Sequence, residues 1–328
     1  MSIEKKNTEH ENKKHLLEAP FRLWSATPTP LNESLQLDLP SVDRVIDHHV
    51  AIGVNGLMLG GTCGEGPWMP VEDLELLVRR AAEHNAKRIG IAAQVTDNSS
   101  VRMLRHIDRV AKAGADYAVI AAPYFMMNPT PERIFNVYRE TIEKSVLPVI
   151  CYDRGAGDRY RLSNEQLPEL MALKNLVMFK DSSCDPERAS IRRAAQRSRS
   201  DLVILTGDEF SLANDVVNGM NGGFLGGAIF NAPLARLILE DIRVGKTDRA
   251  LATQKIMNDF MLVVYGGPKI LAWLTGLKYL MQRLGVFSSE ASYLEYPLAD
   301  AFRAGIDALF DEPQRTRFIA PLLTGSRG

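Results

Sequence analysis

The chain holds only three cysteines in 328 residues, Cys63, Cys151 and Cys184. They are too few and too scattered for a disulfide framework or a paired-cysteine metal knuckle, which fits a reducing cytoplasm. An excess of charge is also missing: lysine and arginine total 39 against 40 for aspartate and glutamate. No basic surface is set aside for phosphates, and nucleic acid is not expected as a partner. No apolar run reaches the ~18 residues of a membrane span, so no membrane association is expected. Residues 1–19 mix lysines with glutamates and read as a solvated arm. Neither G-x-G-x-x-G nor G-x-x-x-x-G-K-[ST] occurs, which removes the common nucleotide-binding signatures.

What is present is a core-forming composition, 45% hydrophobic and 24% charged. Short apolar runs recur at Phe21 to Ala26, Asn55 to Leu59, Ile89 to Gln94, Tyr117 to Ala122, Leu147 to Tyr152, Leu176 to Lys180, Leu202 to Thr206 and Gly223 to Phe230. Segments with helical spacing lie between them, such as Pro70 to His84 and Ser99 to Lys112, the latter opened by Asn98 to Ser100 and closed by Gly114. Strands apolar on consecutive positions and separated by amphipathic helices are parallel strands buried on both faces. Eight such units predict an α/β fold, a (β/α)8 TIM barrel over residues 20–232. Helices at Pro233 to Val244, Asp248 to Tyr265 and Pro268 to Leu284 then predict a C-terminal helical appendix over 233–310, followed by a tail at 311–328.

In a barrel the chemistry sits at the C-terminal ends of the strands. The second strand runs into Gly60-Gly61-Thr62-Cys63-Gly64-Glu65-Gly66, where the backbone can turn its amides toward an anion; a tight strand-to-helix turn would use the same glycines. The fourth strand ends in Pro123-Tyr124-Phe125 and the fifth in Tyr152. A tyrosine there serves packing as readily as chemistry. The sixth strand ends in Lys180 after an apolar approach. That lysine is either a snorkelling strand-end residue or a Schiff-base nucleophile, whose neutral amine an apolar surround favours.

The ordered set, G-T-x-G-E after strand two, P-Y after strand four, the strand-five tyrosine, a lysine 28 residues on, Gly207-Asp208-Glu209 and a glycine-rich eighth strand, resembles the dihydrodipicolinate synthase and N-acetylneuraminate lyase family over roughly residues 21–285. The resemblance implies a class I, pyruvate-dependent aldolase or lyase. Lys180 would form an imine with pyruvate or a 2-keto-3-deoxy sugar acid, Tyr152 would shuttle protons, and Thr62 with the amides near Gly61 and Cys63 would hold the carboxylate. Tyr124, Glu209 and Gly226 would complete the substrate site, without metal or cofactor. All six histidines fall at positions 10 to 106, in the arm or on predicted helices, in keeping with that. The family is commonly tetrameric, so a homo-oligomer, tetramer or dimer, is expected, with a small-molecule keto acid as substrate.

Two positions depart from the synthases that make dihydrodipicolinate: Phe125 stands where a second tyrosine is usual, and Gly157 where an arginine is usual, with Arg154 and Arg159 nearby. Three other readings follow. One is the synthase itself. Another is a phosphosugar barrel using Gly222 to Gly227 as an anion cradle; the last is a barrel that binds a keto acid without turnover. Asp208 and Glu209 could equally be a helix-capping pair.

Overall fold

The computed structural model describes residues 21–155, 157–294 and 296–324. Eight parallel strands, β1 (Arg22–Ala26), β2 (Gly56–Leu59), β3 (Gly90–Gln94), β4 (Tyr117–Ala121), β5 (Val149–Asp153), β6 (Leu176–Asp181), β7 (Val203–Thr206) and β8 (Gly222–Leu225), pair in sequence order, and β1 closes on β8. Helices follow the strands in turn: α1 (Leu39–Ile52), α2 (Val71–Asn85), α3 (Ser100–Ala113), α4 (Pro131–Lys144), α5 (Leu167–Ala172), α6 (Arg188–Ser198), α7 (Leu212–Val217) and α8 (Ala228–Arg243). The expected (β/α)8 barrel is therefore the observed fold. Local signals explain the boundaries: Ser99 caps α3 by accepting from the Arg102 amide, and Gly114 ends it in a left-handed turn. The N-terminal arm at 1–19 lies outside the described residues.

The floor of the barrel is filled by Trp24, with Tyr117 and Phe224 each 5.5 Å from it between ring centroids. Glycine begins both β2 and β3 because the indole lies across those positions. A Cβ on Gly56 would come to 2.5 Å from the Trp24 ring, and one on Gly90 to 2.8 Å. On the outside, Pro233 stands inside α8, where it cannot bond the Ile229 carbonyl one turn earlier. His48 of α1 supplies the missing donor, Nε2 to that carbonyl at 2.6 Å, tying the first helix to the last of the barrel.

Two expectations shift. The eighth apolar run was expected as strand to Phe230, but the strand ends at Leu225 and Ala228 to Phe230 open α8, because Gly226 and Gly227 break the extended backbone. The helix expected from Pro268 begins only at Trp273, since Gly266, Gly267 and Ile270 adopt positive φ. The appendix is α9 (Thr247–Val264), α10 (Trp273–Arg283) and α11 (Asp300–Asp307). Beyond it, where a tail was expected, Phe318 stacks on Phe260 of α9 at 4.5 Å, and Ile319 and Leu322 are buried before and within α12 (Ala320–Thr324).

Candidate active site

Register places the central pair. Between β5 and β6 the ladder shifts after Val149, which pairs with Leu176, so that Ile150 pairs with Met178 and Tyr152 comes opposite Lys180. Directly paired residues of neighbouring strands share a face. Lys180 is only 5% exposed, its Nζ lying 4.2 Å from the Tyr152 ring centroid and 5.0 Å from that of Phe224. Ring faces attract a cation without taking up its donors.

The next pair along the strands, Asp153 and Asp181, is disposed of outside the barrel. Asp153 binds the fully buried Arg188 and Asp181 binds Arg192, both from α6. Arg188 also donates to Asn164 Oδ1 and the Leu162 carbonyl, both at 2.9 Å, which pins the loop after β5. The two carboxylates next along the strands from the lysine are thus spoken for. Among the described residues no carboxylate lies within ion-pair distance of the Lys180 amine.

The loop after β2 is folded tightly on itself. A Cβ on Gly66 would run into the Gly60 carbonyl, and one on Gly64 would sit 2.9 Å from both the Gly60 nitrogen and the Thr27 carbonyl. Gly61 rests against Met58 and Gln94. The Thr62 hydroxyl is buried with no protein partner. Burial, reinforced by Glu209, pushes the Cys63 thiol far up, so this cysteine is a neutral side chain and no nucleophile.

Glu209 and Asp208 divide the two roles expected of them. Asp208 accepts from the Phe210 amide at 3.0 Å and caps a short 3-10 turn. Glu209 instead turns inward: Oε1 accepts from the Tyr265 hydroxyl and Oε2 from the Gly227 amide, both at 2.7 Å. Its burial raises its pKa despite those two bonds and the attraction of Lys180. Gly226 lies beside it; a Cβ there would meet Trp273 at 3.6 Å and Glu209 Oε1 at 3.8 Å. Of the alternative anion cradle at Gly222 to Gly227, the Gly227 amide opening α8 is thus already taken by the chain's own carboxylate.

Tyr124 stands apart from Tyr152. Its hydroxyl accepts from Gln94 Nε2 at 3.3 Å, and Arg154 lies over its ring at 5.2 Å. Arg154 is also committed, to Asp158 and to the Ala122 carbonyl, each at 2.7 Å. Arg159 lies over Tyr160 instead. Phe125 is 59% exposed, and a Cβ on Gly157 would meet nothing within 4 Å. Sequence reasoning missed Phe224, Gln94 and Tyr265. For Phe224 a signal existed, the aromatic residue in a glycine-rich strand that closes the barrel against Trp24.

A buried lysine amine over two aromatic rings thus stands at the mouth of a (β/α)8 barrel, the end at which this fold class keeps its reactive groups. A profile described as the dihydrodipicolinate synthetase family matches residues 19–302, and the chain belongs to that family. It is 32% identical over 197 residues to the 4-hydroxy-tetrahydrodipicolinate synthase of Aromatoleum aromaticum, covering 60% of this chain and 66% of that relative. Among solved structures it is similar to a dihydrodipicolinate synthase from Bacteroides thetaiotaomicron, with TM-score 0.79 and 22% identity over 88% of this chain and 96% of that one. An N-acetylneuraminate lyase from Mycoplasma synoviae has TM-score 0.76 and 19% identity, over 89% and 97%. At these identities the structural likeness speaks for the fold.

Proposed function

We propose that the chain is a Schiff-base-forming lyase acting on pyruvate or a 2-keto-3-deoxy sugar acid, with Lys180 as the imine-forming residue. The observation that carries this is the Lys180 amine, buried at the end of β6 over aromatic faces, with no carboxylate of the described residues within ion-pair distance. The neutral amine adds to the keto carbon, and the resulting carbinolamine loses water to give a protonated imine. Electrons from the bond between C3 and C4 flow into that imine as the C4 hydroxyl gives up its proton. An aldehyde and an enamine result; protonation at C3 and hydrolysis release pyruvate and restore the lysine. Condensation is the same path reversed.

Tyr152, whose ring lies beneath the amine, is the proton carrier in this reading. The Thr62 hydroxyl and the amides around Gly61 and Cys63 hold the keto-acid carboxylate, while Tyr124, Glu209 and Gly226 border the rest of the substrate. The sugar-acid preference rests on Glu209, an acidic acceptor beside Gly226. It also rests on Arg154, whose charge Asp158 already balances.

A second reading, 4-hydroxy-tetrahydrodipicolinate synthase, is favoured by the name carried by the relative at 32% identity. It requires condensation of pyruvate with aspartate semialdehyde despite Phe125 and Gly157. The proposal extends to a homo-oligomer, tetramer or dimer, in the cytoplasm. Support comes from exposed Phe125 and Met127 in the loop after β4 and from three free cysteines. Among the described residues no helix is long and apolar enough to cross a membrane. Sedimentation reads the assembly.

Borohydride reduction in the presence of pyruvate, followed by peptide mass spectrometry, tests the chemistry. A reduced pyruvyl adduct on Lys180 is expected. Its absence on folded protein, with a panel of 2-keto acids also failing, overturns the reading.

A further inference from the structure

The loop between Gly60 and Gly66 carries one charged side chain, and it points away from solvent. Glu65 is completely buried, with its backbone in the left-handed region at φ 57°, a conformation uncommon for a residue with a side chain. One carboxylate oxygen is ion-paired with Lys278 of α10, itself fully buried. The other accepts from the Ser292 hydroxyl at 2.7 Å and from the Tyr293 amide at 2.6 Å. Lys278 donates in turn to the Ala291 carbonyl at 2.6 Å. The loop at the barrel mouth is thereby fastened to the C-terminal region at three polar contacts, all through the Glu65 carboxylate, with Lys278 anchored in turn on the Ala291 carbonyl.

A buried ion pair seldom stabilises a fold more than an apolar pair of equal size would, so its use lies in the geometry that it enforces. The Glu65 amide donates to the Thr62 carbonyl at 3.2 Å, and the Gly66 amide to the Gly61 carbonyl at 3.1 Å. Drawing Glu65 toward α10 therefore fixes the peptide units on either side of Thr62 and Cys63.

We propose that Glu65 and Lys278 are positioning residues for the keto-acid carboxylate: the pair holds the amides and hydroxyl around Thr62 in their receiving geometry, so that the C-terminal helices set the affinity for the keto acid. This rests on the proposed function, since it presumes that a keto-acid carboxylate is what the loop receives. It makes no claim on the imine step itself, which belongs to Lys180.

The test is a pyruvate series of borohydride trapping with full-length protein, wild type beside Glu65→Gln, Lys278→Met and the double variant, with thermal unfolding measured in parallel. Each single variant is expected to raise the half-saturating pyruvate concentration about tenfold or more, with the limiting trapping rate within about threefold of wild type. The double variant is expected to be no worse than the poorer single one, as contacting residues are not additive. A structural role alone would lower the unfolding temperature and leave half-saturation unmoved, and that result in folded single variants overturns the proposal. Should the single variants fail to fold, Ser292→Ala removes one donor to Glu65 and keeps the ion pair. A rise of about two- to fivefold in half-saturation then supports the proposal, on the scale of one lost hydrogen bond, and an unchanged value overturns it. Wild type that yields no adduct on Lys180 is a different failure, of the imine reading itself, and it removes this role as well.

Discussion

The barrel mouth and the join between barrel and C-terminal helices each bury a lysine, and the two environments differ in one respect. At the join, Lys278 has Glu65 against it and the Ala291 carbonyl below. Burial pulls its pKa down and Glu65 pulls it back up. At the mouth, Lys180 has ring faces, while Asp153 and Asp181 are drawn off by Arg188 and Arg192. One buried lysine has a carboxylate against it; the other, among the described residues, has none within ion-pair distance. The first arrangement holds a loop; on the proposed function, the second presents the amine that bonds to carbon.

Breaking the contrast at the mouth has the largest expected effect. Lys180→Met should abolish imine trapping and turnover altogether while leaving the unfolding temperature unchanged or raised, because it exchanges an uncompensated buried amine for an apolar chain. A large fall in unfolding temperature would show that the lysine is structural. Next comes Tyr152→Phe, which keeps the ring beneath the amine and removes the hydroxyl. Trapping should persist while turnover falls by roughly 10² to 10⁴; an unchanged rate removes this tyrosine from proton transfer.

At the join the expected change is in folding. Lys278→Met leaves Glu65 buried alone, at a cost of about 3–5 kcal/mol, whereas adding Glu65→Gln should restore part of it. Denaturant titration of the single and double variants measures both, and equal stability for the two would contradict the pairing.

The last effect, absent at neutral pH, concerns a third buried base. His49 is fully buried, donating from Nδ1 to the Val45 carbonyl at 2.7 Å and accepting at Nε2 from Ser25 at 2.9 Å. Burial, with His48 beside it shifted the same way, depresses its pKa to about 3. The folded state therefore binds fewer protons than the unfolded chain. Its contribution is complete above about pH 6.5 and is lost as pH falls toward 3, by ~1.4 kcal/mol per pH unit for one proton. His49→Gln should flatten that part of the stability profile; an identical acid slope would remove His49 as its source.

The same contrast explains what could be read in the sequence. Lys180 was legible because an apolar strand ending in lysine breaks its own pattern, and the eight strands were legible because each carries apolar residues on consecutive positions. Lys278 was not: it lies among Leu274, Leu277 and Met281 on α10, where a lysine at the edge of an apolar stripe usually runs out to water. Its partner sits in a loop at the far end of the sequence, and no local pattern links the two. Glu209 was legible as a residue but not by its partners, since Tyr265 follows directly on a helix whose register only packing sets. The end of β8 was misread because alanine, isoleucine and phenylalanine continue an apolar run as well in a buried helix as in a strand.

The stacked rings beneath the site carry a consequence for traffic. Phe224 lies under the Lys180 amine and Trp24 lies against Phe224, so the barrel is stoppered below the reactive atom. On the proposed function, a keto acid seated on the amine lies above those rings, and any partner molecule must bind above it. In that order the carbon acid is activated before its partner is admitted. Pyruvate alone in heavy water should accordingly exchange its methyl protons on this enzyme with no aldehyde present.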